Sequence, residues 1–241
     1  MTISNEQQDI NRTMILNLWS EINQDVAINV EMFKEWLTNS DFFSAPCSTI
    51  FHLACKGGLA AHSLNVYELL REKVKRYNLK ISESSIIMCA LGHDLCKVNM
   101  YEIDDEGPST AQVNYLKTLA GTFYPALEAE GLTKQYASKL IEWYKGRCQG
   151  NPPEKGVSYK VNDQLPLGHG EKSVSILQDF FYLTDEEKLA IRWHMTSFDA
   201  GIHFNYPSGF AFRKAADEYP LVTLLFTADY ESSQILEKEV K

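Results

Sequence analysis

The run Ile86-Ile87-Met88-Cys89-Ala90-Leu91 leads directly into Gly92-His93-Asp94, with Lys97 three residues further on. A segment this apolar on every face is too hydrophobic for a surface element, so a central helix is expected over about residues 84–96. The most buried helix of the chain therefore ends in three ionisable side chains. His93 and Asp94 diverge by about 100° around a helix axis. Both can grip one ion only if it lies between their directions. Lys97 falls between them on the same face. A cation beside two potential ligands, and not itself a ligand, is placed to hold a phosphate oxygen.

Helical periodicity dominates the rest of the chain. Ile15, Leu18, Trp19, Ile22, Val26, Val30, Phe33, Trp36 and Leu37 recur at three- and four-residue steps, which predicts one or two amphipathic helices over about residues 6–38. A breaker-rich stretch, SDFFSAPCS, follows. Further helices are expected over about residues 58–77, 133–147, 171–181, 212–218 and 220–238. Thr184-Asp-Glu-Glu187 is a capping box opening a helix that runs to about His194. Residues 98–110 read as an extended piece entering a turn. Val157–Val161 alternates and is expected to pair with Met100–Ile103 as a small hairpin. The fold class is all-α with a small β-hairpin insertion.

The chain has 241 residues and 44% hydrophobic content, enough to bury a core without disulfide or metal staples. It carries 23 Lys plus Arg against 32 Asp plus Glu, a net charge of −9. That balance argues against a broad basic surface for long nucleic acid. No apolar run approaches the ~18 residues of a membrane span. The N-terminus MTISNEQQDINRT has neither a basic n-region nor an apolar h-region, so no signal peptide is expected. The five cysteines include no CxxC pair, which removes zinc-ribbon and thioredoxin readings and fits a reducing, cytoplasmic location.

Other candidate side chains stand in recognisable settings. His62 lies one turn into the helix opened by Gly57-Gly58, and Leu59 and Val66 share its face. Asp229, in Leu224-Leu-Phe-Thr-Ala-Asp229-Tyr, places a carboxylate on or beside an apolar face, where a divalent cation would offset its burial. His169 precedes a helix in Leu167-Gly-His169-Gly-Glu-Lys-Ser, and His194 ends the capped one. A histidine on a helix face is more often a hydrogen-bonded core residue than a ligand. An isolated His-Asp dipeptide is weak evidence as well. The ordered set, Gly-Gly-Leu-x-x-His, His-Asp-x-x-Lys, two helix-borne histidines and Ala-Asp, is much less readily accidental. His52 and His203 have no such setting and are read as packing or boundary residues.

This set resembles the HD superfamily of metal-dependent phosphohydrolases, in particular the branch with HD-type 3′–5′ exoribonucleases and small phage and bacterial HD hydrolases. The resemblance runs from about Phe51 to the C-terminus. It is sharpest at residues 51–64, 91–97, 167–173, 191–195 and 228–229. It implies an HD-domain helical bundle over residues 46–241, with residues 1–45 as an N-terminal helical segment packing on the core. It also implies His62, His93, Asp94 and Asp229 as ligands of one metal ion, with His169 and His194 holding a second. Lys97 matches the lysine that follows the HD pair. The exoribonuclease members carry an N-terminal OB-type module, whereas residues 1–45 here read as helical and acidic.

The implied cofactor is a divalent metal, two ions chosen among Mn, Fe, Ni and Mg, since the ligands are imidazole and carboxylate. The implied reaction is attack of a metal-activated water on a phosphoester. Asp94 and Lys97 are then the catalytic residues. Lys172, Arg192 and, more weakly, Arg213 are candidate phosphate contacts. The acidic charge favours a nucleotide or short oligonucleotide over a long polymer. The competing reading is a catalytically silent nucleotide-binding sensor on the same scaffold. The N-terminal segment, with Trp19, Phe33 and Trp36, either caps the core or mediates a homodimer.

Overall fold

Ser4 opens the first helix by accepting a hydrogen bond from the Gln7 amide, and α1 runs Asn5–Ser20. Asn29 does the same for Met32 ahead of α2 (Val30–Asn39). These side-chain oxygens satisfy amides that a helix start leaves unpaired. In this computed structural model, residues 2–146, 150–153, 155–196 and 207–238 are described. The third helix, α3, spans Gly58–Arg76. The fourth, α4, spans Glu83–Gly92 and is buried continuously from Ile86 to Gly92.

The apolar helix is shorter than the sequence suggests. It ends at Gly92, and Leu95–Lys97 form a separate 3₁₀ turn. Asp94 leaves helical geometry (φ −106°, ψ 17°), and its carboxylate binds the Lys97 ammonium at 2.6 Å.

The chain forms two compact units, one built from residues up to Tyr101 and from Asn162 to Lys238, the other from Glu102–Val161. The smaller unit contains α5 (Thr110–Ala120), α6 (Tyr124–Ala129) and α7 (Lys134–Tyr144). Its own apolar cluster includes Leu116, Ala120, Tyr136, Ala137 and Leu140. Helices α5 and α6 were not anticipated, because 110–129 lacks a sustained apolar stripe. Strand β1 (Tyr101–Ile103) pairs with β2 (Tyr159–Val161) as the expected small sheet.

The larger unit is completed by α8 (His169–Gln178), α9 (Asp185–Trp193), α10 (Pro207–Glu218) and α11 (Pro220–Glu231). The Thr184/Glu187 capping box is present at the start of α9. Beyond α11 the chain widens into a π-helical turn, Ser232–Leu236, where the sequence suggests one helix to residue 238. Helix α4 packs against α1, α3, α8 and α9. Among the described residues no helix is long and apolar enough to cross a membrane.

Residues 1–45 share this core. Trp19 and Phe33 are fully buried. Phe33 meets Trp19 edge-on at 4.5 Å, Phe180 at 5.2 Å and Phe181 at 5.0 Å. Burying an aromatic ring of this size contributes about 1.5–3 kcal/mol, with about 0.5–1.5 more for each well-oriented ring pair. The compact units divide at 101/102 and 161/162, and the sequence boundary near residue 45 falls inside the larger one.

Candidate metal centre

Two glycine positions set the approach of the helices that carry the site. Gly57 adopts φ +78°, and a Cβ on Gly58 would sit 2.1 Å from the Leu53 carbonyl oxygen. Only glycine lets α3 begin this close under the 47–55 loop, which fixes His62 one turn in. A Cβ on Gly170 would meet the Arg192 carbonyl oxygen at 2.5 Å. Its absence lets α8, which starts at His169, lie against the end of α9, where His194 stands.

Side chains from these elements and from α11 converge. His62 Nε2 lies 3.3 Å from His93 Nε2, 3.2 Å from Asp229 Oδ1 and 3.6 Å from Asp94 Oδ2. His93 Nε2 lies 3.5 Å from Asp94 Oδ2. The other Asp94 oxygen, Oδ1, is 2.8 Å from His169 Nε2 and 3.6 Å from His194 Nε2. His62, His93, Asp94 and His194 are almost completely buried, while the His169 and Asp229 side chains keep 22% and 15% exposure. All six candidate ligands thus gather in one place. The triads His62–His93–Asp229 and His93–Asp94–His194 each bring three ligand atoms within 4.8 Å of one another, close enough to hold a metal ion.

The polar chemistry fits a cation. A carbonyl oxygen can only accept, so His93 Nδ1 donates to Ala90 O at 2.8 Å and His194 Nδ1 donates to Ile191 O at 2.6 Å. Whenever such a ring is neutral, this leaves its Nε2 lone pair facing the cluster. His194 Nε2 is buried without a hydrogen-bond partner. Such an orphaned atom is costly unless something unseen by the protein atoms satisfies it. The spacing agrees as well. With metal–nitrogen bonds of about 2.1 Å, neighbouring ligands on one ion stand about 3.0–3.4 Å apart, and the separations at His62 Nε2 are 3.2 and 3.3 Å.

The protonation pattern is that of acids gathered around cations. Burial works against the Asp94 carboxylate, but Lys97, His93, His169 and His194 outweigh it and hold it well below the usual range. Burial likewise opposes ionised Asp229, and His62, then His93 and His194, hold it down. Burial would lower His62, yet the Cys47 sulfur and the Asp229 and Glu237 carboxylates raise it well above an ordinary histidine. Burial lowers His169 against the pull of Asp94. Lys97 is raised despite burial, chiefly by Asp94.

Two of the three phosphate contacts suggested by the sequence have acidic partners within the protein. Lys172 is buried and paired with Asp163 at 2.6 Å. Arg192 pairs with Glu171 at 2.5 Å and stacks its guanidinium over Trp193 at 4.2 Å. Arg213 lies on α10 with its guanidinium 5.9 Å from the Phe210 ring. Lys97 does lie in the cluster, and besides Asp94 it reaches Cys47 Sγ at 3.5 Å.

Two residues were not recognised from the sequence. His52, read as a packing residue, borders the cluster with Nε2 3.2 Å from Cys47 Sγ and its ring 5.1 Å from His62. Burial, with the nearby charge of His62 and Lys97, pushes His52 down to about 4. Glu237 binds His62 from behind and carried no sequence signal, because the π-helical turn that delivers it is not legible in residue periodicity. His203 lies outside the described residues.

Comparison with protein-family models, with curated proteins and with solved structures finds no match to this chain. The chemistry of the centre is therefore read from its own atoms.

Proposed function

We propose that this chain is a metal-dependent phosphohydrolase of the HD type, cleaving a phosphoester in a nucleotide or short oligonucleotide. The observation that carries the reading is the division of Asp94. One oxygen faces His62 and His93, the other faces His169 and His194. A carboxylate that offers one oxygen to each of two imidazole sets is suited to two cations. Imidazole and carboxylate ligands favour Mn, Fe or Ni, with Mg the harder alternative.

Divalent cations held by His62, His93, Asp94, His169, His194 and Asp229 would supply Lewis acidity, which would acidify water and neutralise charge on a phosphoryl group. The protein's part is positional. Carbonyl acceptors lock the His93 and His194 rings with Nε2 inward. Lys97 holds the Asp94 carboxylate and brings a buried positive charge within reach of a nonbridging phosphate oxygen. Closure of His62, His93 and His194 from solvent strengthens every one of these interactions. The more exposed His169 and Asp229 mark the edge from which a substrate reaches them. The net charge of −9 favours a small substrate.

The test is turnover of bis-p-nitrophenyl phosphate, and then of a panel of linear, cyclic and oligomeric nucleotides, by Mn²⁺-loaded protein with products read by mass spectrometry. Replacing His93 and Asp94 together by Ala is expected to abolish both metal content and turnover. Turnover that survives the double change contradicts the assignment. A nucleotide-binding sensor without turnover draws on one observation, the prior pairing of Lys172 and Arg192 with acidic partners. Tight nucleotide binding without product would favour it.

A further inference from the structure

Glu237 is a buried acid outside the proposed ligand set that contacts one of its histidines directly. Glu237 is 3% exposed. Its Oε1 and Oε2 lie 3.0 and 3.1 Å from His62 Nδ1. Oε1 also accepts from Asn65 Nδ2 at 2.9 Å and from Ser232 Oγ at 2.5 Å. Oε2 lies 3.9 Å from His52 Nε2. The carboxylate is thus clamped by groups from α3 and from its own turn, and its orientation relative to the imidazole is fixed.

Its arrival there depends on the π-helical turn. At about 100° per residue, a regular helix would turn Glu237 about 80° away from the Asp229 direction. The π turn Ser232–Leu236 winds less per residue, and the Glu237 amide bonds to the Ser232 carbonyl at 3.0 Å. Asp229 and Glu237, eight positions apart on one helical segment, consequently grip opposite nitrogens of one ring. Asp229 Oδ1 faces Nε2 at 3.2 Å and Glu237 faces Nδ1.

We propose that Glu237 is the positioning residue of the metal centre. It accepts a hydrogen bond from His62 Nδ1–H, fixes the ring in the tautomer whose Nε2 is a ligand, and raises the basicity of that nitrogen. This rests on the metal-centre reading above. A carboxylate behind a ligating histidine orients the ring and strengthens the metal bond, and losing one typically weakens metal affinity about 10–100-fold.

The experiment is Mn²⁺ and Co²⁺ affinity by chelator competition for wild type and Glu237→Gln. The melting temperature of each protein is measured in chelator alongside. The variant is expected to bind at least 10-fold more weakly, with an altered Co²⁺ visible spectrum, while Glu237→Asp recovers part of the loss. Wild type that binds metal and a variant that binds within about fivefold of it overturn the proposal while sparing the metal centre. Wild type that binds no metal overturns the centre itself. Should the variant fail to fold, ¹⁵N NMR of Zn²⁺-loaded wild type decides. His62 protonated at Nδ1 and metallated at Nε2 is the expected result, and the reverse tautomer overturns the proposal.

Discussion

His62 and His93 face each other through Nε2 at 3.3 Å, although each ring turns Nδ1 to an acceptor elsewhere, Glu237 for one and the Ala90 carbonyl for the other. Two neutral rings so placed would set lone pair against lone pair. A proton or a metal cation between them removes the conflict, and Asp94 and Asp229 alongside attract either.

That competition is expected to make metal uptake at this centre pH-dependent. His62 faces Cys47, His52, His93, Asp94, Asp229 and Glu237, with Lys97 beyond Asp94, and the balance raises it above an ordinary histidine. A cation must displace its proton, so affinity rises with pH up to that raised value. Calorimetric titration of Mn²⁺ at neutral pH, in buffers of differing ionisation enthalpy, is expected to show about one proton released per ion at this ring. Identical heats in all buffers contradict it.

The same shifts set the stability profile of metal-free protein. The stabilisation from charged His62 is fully present below an ordinary histidine value of about 6.5 and lost as pH rises through the raised folded value. Glu237 behaves oppositely. Burial opposes its ionisation, but His62, Ser232 and Asn65 hold it down to about 2. Its contribution is present above the ordinary glutamate range and lost as pH falls through about 2. Urea melts of chelator-treated protein across pH check both limbs. Glu237→Gln is expected to flatten the acidic one.

Asp94→Ala leaves the Lys97 ammonium buried without its partner. Breaking a buried pair in this way costs about 3–5 kcal/mol. Adding Lys97→Met is expected to restore part of that stability without restoring metal binding. Chemical denaturation of the double-mutant cycle measures it, and a Lys97→Met change that gives no recovery sinks the explanation.

Gly170→Ala forces a Cβ into the Arg192 backbone, 2.5 Å from its carbonyl oxygen. Overpacking of this kind costs about 1–3 kcal/mol. Because His169 precedes Gly170 and His194 ends the facing helix, metal bound on the Asp94 Oδ1 side is expected to weaken first. Metal stoichiometry by mass spectrometry, read beside the melting temperature, separates that local effect from general unfolding.

Phe33→Ala tests how far the N-terminal segment belongs to the fold. Phe33 is fully buried among Trp19, Trp36, Phe180 and Phe181. Its truncation is expected to cost about 3–5 kcal/mol in one cooperative transition. A separate low-temperature transition would show residues 1–45 melting independently.

The helices were legible where an apolar run was continuous, as over Ile86–Leu91 in α4, or where apolar periodicity met a capping box, as at Thr184 before α9. The His93-Asp94 pair stood out only through its place in the ordered set of histidines and aspartates, whereas the Gly57-Gly58 pair marked a close approach of the chain. Helices α5 and α6 escaped notice because neither carries a long apolar stripe. The acidic partners of Lys172 and Arg192, Asp163 and Glu171, were not legible, because sequence shows a charge and its helix but not the carboxylate that the fold brings to it. Glu237 was invisible because its position depends on a change of helical pitch.

The most direct test of the metal centre is anomalous diffraction from crystals grown with Mn²⁺, recorded on either side of the manganese absorption edge. Peaks bounded by His62, His93 and Asp229 on one side of Asp94, and by His169 and His194 on the other, are the expected result. A map with no anomalous density at this cluster, from protein that is folded and Mn²⁺-saturated, contradicts the account.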